Sequence, residues 1–188
     1  MKALQDYIAI DDGVFKASEC QKLIGIFEGS MDKQRVKGQL PEKSWAVDYN
    51  RMWLEDCHFA NLELSLSNIL RTIAIRVDLY LSTRKVELYN PRAFTTVALK
   101  RYDVGGRFDR HIDQADFETS SRILAVLVYL NSINSGHTVF PDLELQVKPE
   151  TGRMLIFPPT LTYPHYGAEV ETDQKYILQT YLVHQSKW

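Results

Sequence analysis

The chain has 188 residues, with 22 Lys and Arg against 24 Asp and Glu, 45% hydrophobic and 24% charged residues. That is room for about one domain, and the composition excludes a disordered chain. A net charge of −2 excludes a strongly basic nucleic-acid binder, and no apolar run reaches the ~18 residues of a membrane span.

A chain of this length buries roughly 70% of its unfolded surface, so it folds without a structural metal or disulfide. A metal site, if present, therefore serves chemistry. Cys20 and Cys57 are the only cysteines, which suits a reducing compartment. No apolar run follows Met1–Asp6, so no signal peptide is expected and a cytoplasmic location is the default.

In chain order, Tyr7–Ile10 reads as a short strand closed by the turn Asp11-Asp12-Gly13. Ser18 and Gln21 form a capping-box pattern that opens a helix with Cys20, Leu23, Ile24 and Phe27 on one face. Gly29 fits the C′ position of that helix. Residues 30–44 are polar, contain Gly38 and Pro41, and read as a loop. Trp45–Trp53 is either a strand or an irregular aromatic segment. Leu62, Leu66, Ile69, Leu70, Ile73, Val77 and Tyr80 make one apolar stripe, which predicts a packed support helix over residues 57–81.

After Pro91 the period changes to two. Phe94–Tyr102, Arg122–Leu130, Met154–Phe157 and Lys175–Val183 are rich in β-branched and aromatic residues and read as strands. Gly105-Gly106, Asn134-Ser135-Gly136 and Pro158-Pro159 separate them. The expectation is a mostly β, α+β fold: a jelly roll or sandwich buttressed by N-terminal helices. No linker divides it. One domain over 1–188 is expected, with a helical support region at 1–90 and a catalytic core at 91–188.

His111-Ile112-Asp113 carries the first chemistry. In an extended segment residues i and i+2 share a side, so imidazole and carboxylate converge while Ile112 points away. Two ligands do not make a metal site, and the H-x-D pair alone occurs by chance in many chains. His165 supplies a third candidate, 54 residues later. Two histidines and a carboxylate on one face leave the opposite face open, as in non-haem Fe(II) oxygenases. Lys175 begins the last strand, where a lysine is ordinarily solvated. Lys175, Ile177, Gln179 and Tyr181 share one face; if that face lines a barrel, the ammonium points into the cavity and can hold a carboxylate. Lys100, Arg101, Arg107 and Arg110 alternate with Asp103 and Asp109, and read as a solvated mixed-charge surface.

From about Ala98 to Val183 the sequence resembles the prolyl 4-hydroxylase-type branch of the 2-oxoglutarate- and Fe(II)-dependent dioxygenases. The matching pieces are Lys100–Gly106 leading into His111-Ile112-Asp113, then Arg122–Asn131, Ser135–Pro141, Pro149–Pro158, His165, and Lys175 ten residues on. Asp12–Phe15 and Ser18–Cys20 resemble the family's opening segment more weakly. The resemblance implies a double-stranded β-helix (jelly roll) with iron in its mouth. It implies that His111, Asp113 and His165 bind the metal, and that Lys175 pairs with the distal carboxylate of 2-oxoglutarate. Tyr102, Tyr129, Thr138 and Leu127 match positions around that cosubstrate. Arg122 matches a substrate-contacting arginine, although its strand parity is opposite to that of Tyr129, so only a bulge or fray turns it to the pocket. The family's paired glycine is Ser135-Gly136 here. His137 falls at a variable position and has no ligand role.

By the same resemblance, 2-oxoglutarate takes two iron positions and dioxygen the last. Succinate and CO₂ leave as a C–H bond is hydroxylated, and ascorbate enters as a candidate reductant. Three function classes are carried forward: a hydroxylase of a prolyl or other peptide residue, a hydroxylase of a free amino acid or small metabolite, and a non-catalytic jelly-roll module. Neither a nucleic-acid nor a membrane partner is expected. The region before residue 90 matches the family poorly and leaves the substrate open.

Overall fold

The computed structural model describes residues 3–31, 34–39, 46–53, 65–88 and 92–184. Its strands are β1 (Ala9–Asp11), β2 (Gln34–Gln39), β3 (Ala46–Trp53), β4 (Arg92–Phe94), β5 (Ala98–Tyr102) and β6 (Phe108–His111). They continue as β7 (Arg122–Tyr129), β8 (Thr138–Phe140), β9 (Leu145–Val147), β10 (Met154–Phe157), β11 (His165–Gly167) and β12 (Lys175–His184). Two helices, α1 (Ala17–Gly29) and α2 (Leu66–Arg84), precede most of the sheet. The strands join in the order β1-β10-β7-β12-β5-β3-β6-β11-β8-β9, with β2 on β3 and β4 on β12. Every pairing among the described strands is antiparallel.

The central strands are apolar on both faces, which explains why 122–130 reads as an almost continuous hydrophobic run. Side chains alternate between two cores. Ala125, Leu127, Tyr129, Leu155, Phe157 and Ile177 face one cluster together with Tyr102 and Phe140. Leu124, Val126, Val128, Met154, Ile156 and Leu178 face the other, which also holds Leu23 and Phe27 of α1 and Ile69, Ile73 and Val77 of α2. Each large side chain buried there contributes roughly 1.5–3 kcal/mol of hydrophobic stabilisation.

The helix boundaries differ from the sequence expectation for identifiable reasons. α1 starts two residues earlier, because Glu19 accepts the Lys16 backbone N–H at 2.7 Å and makes Lys16 the N-cap in place of Ser18. Gly29 is the last helical residue, and Ser30 is the C-cap. α2 begins after Ser65, whose hydroxyl accepts from the Asn68 N–H at 3.3 Å, and ends at Lys85 in the left-handed region. The expected 57–64 portion of that helix, with Leu62 and Cys57, lies outside the described residues. Residues 34–39 are strand β2 where a loop is expected. The expected 94–102 strand is two, β4 and β5, interrupted at Thr95–Val97. Among the described residues no helix is long and apolar enough to cross a membrane.

Gly152 pins the N-terminal segment to the sheet. Its φ is +77°, and a Cβ there would sit 2.1 Å from the Phe15 carbonyl oxygen. That close approach lets the Gly152 carbonyl accept the Val14 N–H at 2.9 Å.

Candidate active site

Antiparallel pairing of β6 with β11 places His111 directly opposite His165, which removes their 54-residue separation. Their ring centroids are 4.4 Å apart. Phe108 stacks on His111 at 3.8 Å, and Phe157 meets His165 edge-on at 4.8 Å, so both imidazoles are held by packing. β6 ends at His111, and the chain bends at Asp113. Asp113 still turns back to the histidines: its Oδ1 is 3.4 Å from His111 Nε2 and its Oδ2 is 3.6 Å from His165 Nε2. Because the strand has ended, Ile112 lines the outer cavity instead of facing away.

The hydrogen bonds fix the tautomers. His111 Nδ1 lies 2.7 Å from the Asp109 carbonyl and His165 Nδ1 lies 3.1 Å from the Tyr163 carbonyl. A carbonyl can only accept, so both Nδ1 atoms carry the proton and both Nε2 atoms present lone pairs to Asp113. Burial lowers the His165 pKa and favours the neutral ring, with Asp113 opposing. Burial alone would raise the pKa of Asp113. Positive charge on the His165 and His111 rings, together with the Tyr181 hydroxyl, outweighs it and holds the carboxyl well below the usual range; with both rings neutral, a bound cation has to supply that charge.

The donor set fits a cation. Ligand atoms of His111, Asp113 and His165 lie within 4.8 Å of one another. Asp113 Oδ2 is buried and has no hydrogen-bond partner among the described residues. Leaving such an oxygen unsatisfied costs at least ~1–3 kcal/mol, and more for a charged group. Two imidazole lone pairs and a carboxylate meeting at one point repel unless a positive ion sits among them. Two histidines and one carboxylate are the donor set of a non-haem Fe(II) centre.

An inner slot runs from His111 and His165 to Lys175, lined on its way by Tyr102, Leu127, Thr138 and Ile177. Lys175 is buried. Its ammonium donates to the Gly136 carbonyl at 2.7 Å and lies 4.5 Å from the Tyr102 ring centre. Burial, with the nearby Lys100 charge, pushes its pKa down to about 7. Among the described residues no carboxylate lies within ion-pair distance of it. Gly136 has a φ of +64°, and a Cβ there would sit 3.2 Å from Lys175 Cδ, so glycine leaves the lysine its channel. Tyr129 meets the slot indirectly: its hydroxyl donates to Thr138 Oγ1 at 2.7 Å, and Thr138 is the partner that lines the slot.

A second, outer cavity of about 430 Å³ opens on the other side of His111 and Asp113. Arg122 faces it. The β7–β12 register shifts between Leu182 and Val183, so Leu124 pairs with Leu182 and Arg122 with Val183. This bulge sends both Ile123 and Leu124 to the helix-side core and re-aims Arg122. Its guanidinium lies 3.9 Å from the Tyr181 ring centre and donates to the Asp113 carbonyl at 2.6 Å. Tyr181 in turn donates its hydroxyl to Asp113 Oδ1 at 3.0 Å.

Lys100 corrects the sequence reading. Arg101, Arg107 and Arg110 do pair at the surface, with Glu28 and Asp103, Asp109 and Glu169, and Asp142. Lys100 is instead only 8% exposed and lines both cavities. Its strand parity was the available signal: it is two residues from Tyr102 on β5 and shares its face. Among the described residues His137 is not part of the cluster formed by His111, Asp113 and His165.

Comparison with known proteins agrees with this geometry. Residues 97–183 match the family model of the 2OG-Fe(II) oxygenase superfamily. A protein of Acanthamoeba polyphaga mimivirus, provisionally named a prolyl 4-hydroxylase, is 42% identical over 65 residues, which is 30% of this chain and only 27% of that protein's length. A viral collagen prolyl hydroxylase from Paramecium bursaria Chlorella virus-1, solved with 2OG, superimposes with a TM-score of 0.68 at 21% identity over 95% of this chain and 97% of that one. A Pseudomonas putida prolyl-4-hydroxylase gives 0.68 at 14% identity, covering 96% and 94%. A Trichoplax adhaerens prolyl hydroxylase, solved with a hypoxia inducible factor peptide fragment, gives 0.67 at 17% identity, covering 95% and 84%. Residues 97–183, which carry the His-Asp-His cluster and Lys175, are thus similar to the 2OG-Fe(II) oxygenase superfamily, and the fold is that of the solved prolyl hydroxylases.

Proposed function

We propose that the protein hydroxylates a C–H bond of a prolyl or other peptide residue, releasing succinate and CO₂. One observation carries the reading. The orphaned Asp113 Oδ2, facing His165 Nε2, stands at one end of a slot whose other end is the buried, carboxylate-free Lys175. A metal and a dicarboxylate satisfy both ends at once. The peptide-bound Trichoplax neighbour supports a peptide substrate.

The chemistry that Fe(II) and 2-oxoglutarate supply when bound is oxidative decarboxylation coupled to insertion of one oxygen atom of dioxygen into a C–H bond. The chain's own residues hold and orient. His111 and His165 offer Nε2, fixed by their Nδ1–H bonds to Asp109 and Tyr163. Asp113 offers its carboxylate, steadied by the Tyr181 hydroxyl. Lys175 holds the far carboxylate, Tyr102 and Leu127 keep water from the slot, and Tyr129 orients the Thr138 hydroxyl. Arg122 borders the outer cavity, where the substrate enters. We read the antiparallel sheet as a jelly roll, with α1 and α2 buttressing the face opposite the site; their shared core supports this.

The test is succinate release with Fe(II), 2-oxoglutarate and oxygen, using a proline-rich peptide library in parallel with free amino acids. Oxygen-dependent, peptide-stimulated succinate is expected. Stimulation by free amino acids alone would replace the peptide reading. No 2-oxoglutarate turnover under any condition would refute the hydroxylase reading.

A further inference from the structure

Lys100 is a buried cation for which the hydroxylase chemistry provides no use. Its ammonium donates to Gln179 Oε1 and lies 4.6 Å from the Tyr49 ring centre. Gln179 passes the contact on, its amide donating to the Tyr181 hydroxyl at 2.7 Å. Among the described residues no carboxylate lies within ion-pair distance of Lys100. Burial pushes its pKa down to about 8, the nearby charges of Arg51 and Arg122 add to this, and Asp113 opposes it. Three cationic side chains, Lys100, Arg51 and Arg122, therefore line one outer cavity.

The charges around it say what Lys100 awaits. On the proposed function, a divalent iron, the Asp113 carboxylate, the 2-oxoglutarate dianion and the Lys175 ammonium leave the inner site neutral. Beside Lys100 and Arg122 the cavity lining includes the Asp116 carboxylate, whose Oδ1 accepts from the Thr119 N–H at 2.9 Å and hydroxyl at 2.7 Å. An uncharged substrate filling the cavity would leave the buried Lys100 charge without a counter-charge, which is costly for a buried ion.

We propose that the outer cavity is an anion subsite in which Lys100, flanked by Arg122, receives a carboxylate of the substrate, so the substrate class carries an acidic group beside the bond to be hydroxylated. This rests on the hydroxylase reading. The carboxylate comes from an acidic side chain of a peptide or from the α-carboxylate of a free amino acid.

The experiment is calorimetric binding to the Fe(II)- and 2-oxoglutarate-loaded protein without oxygen. Two probe pairs separate the sources: N-acetyl-Pro-Glu-amide against N-acetyl-Pro-Gln-amide, and free proline against prolinamide. In one pair the carboxylate member should bind at least about tenfold more tightly, as expected for a buried charge pair. Lys100→Met and Lys100→Gln should abolish that preference. The wild-type preference needs no variant, so a folding failure leaves the proposal tested. Absence of preference in both pairs overturns it, as does a preference that survives both variants. A tenfold loss of 2-oxoglutarate affinity in the variants also overturns it, by assigning Lys100 to the cosubstrate. If wild type binds no 2-oxoglutarate, the hydroxylase reading fails, and the probe preference is still decided on the iron-loaded protein alone.

Discussion

Replacing Lys175 by methionine keeps the apolar stem and deletes the charge. The ammonium has the Gly136 carbonyl and the Tyr102 ring face for company, and burial pushes its pKa down to about 7. The far carboxylate of 2-oxoglutarate becomes its counter-ion. Removing one partner of a buried pair costs about 3–5 kcal/mol, which is roughly two to four orders of magnitude in affinity. The loss also depends on pH. Bound carboxylate raises the lysine pKa, so above about pH 7 wild-type binding must take up a proton. Wild-type affinity should be level below that pH and fall by about tenfold per unit above it, whereas the variant lacks this dependence. Calorimetry of 2-oxoglutarate binding to anaerobic Fe(II)-loaded protein from pH 6 to 9, in buffers of different ionisation enthalpy, reads both affinity and proton uptake. Iron content should be unchanged. Equal affinity of the two proteins at pH 6.5, or the same proton uptake in both, would refute the pairing.

His111→Ala and His165→Ala should each weaken Fe(II) binding by at least ~10–100-fold, the range that loss of a supporting contact alone can reach; equilibrium dialysis measures it. Tyr181→Phe removes the hydrogen bond to Asp113 Oδ1 and should weaken iron binding by about tenfold without changing the melting temperature much. Gly152→Ala forces a Cβ against the Phe15 carbonyl at a φ of +77°, and should lower stability by about 2–4 kcal/mol in a urea titration. Lys175 and Lys100 titrate below the 10.5 of a free lysine, so the unfolded chain binds more protons between about pH 7 and 10.5. The empty protein should therefore gain stability over that interval as pH rises, less so in Lys175→Met; identical pH slopes would contradict it.

The site was largely legible because its residues stand at fixed spacings: H-x-D, a distant histidine, and a lysine opening the last long strand. Periodicity served the long elements, since Leu66–Tyr80 and Arg122–Tyr129 present enough turns or alternations to declare themselves. It failed for β8, β9 and β11, three residues each, which are too short to show a period. Pairing, not local preference, makes them strands. β2 was hidden for the same reason: its polar residues form a strand through their ladder to β3. Arg122 depended on a bulge that parity cannot foresee. Lys100 was misread because its neighbours alternate in charge; its shared face with Tyr102 outweighed that local pattern.

The central claim is that His111, Asp113 and His165 hold iron while Lys175 holds 2-oxoglutarate. The most direct test is a crystal grown anaerobically with Fe(II) and 2-oxoglutarate, with anomalous scattering recorded on both sides of the iron edge. The expected result is one iron peak at bonding distance from His111 Nε2, His165 Nε2 and an Asp113 oxygen, with the cosubstrate reaching from that peak to Lys175 Nζ. Iron held elsewhere, or a cosubstrate carboxylate placed away from Lys175, would contradict it.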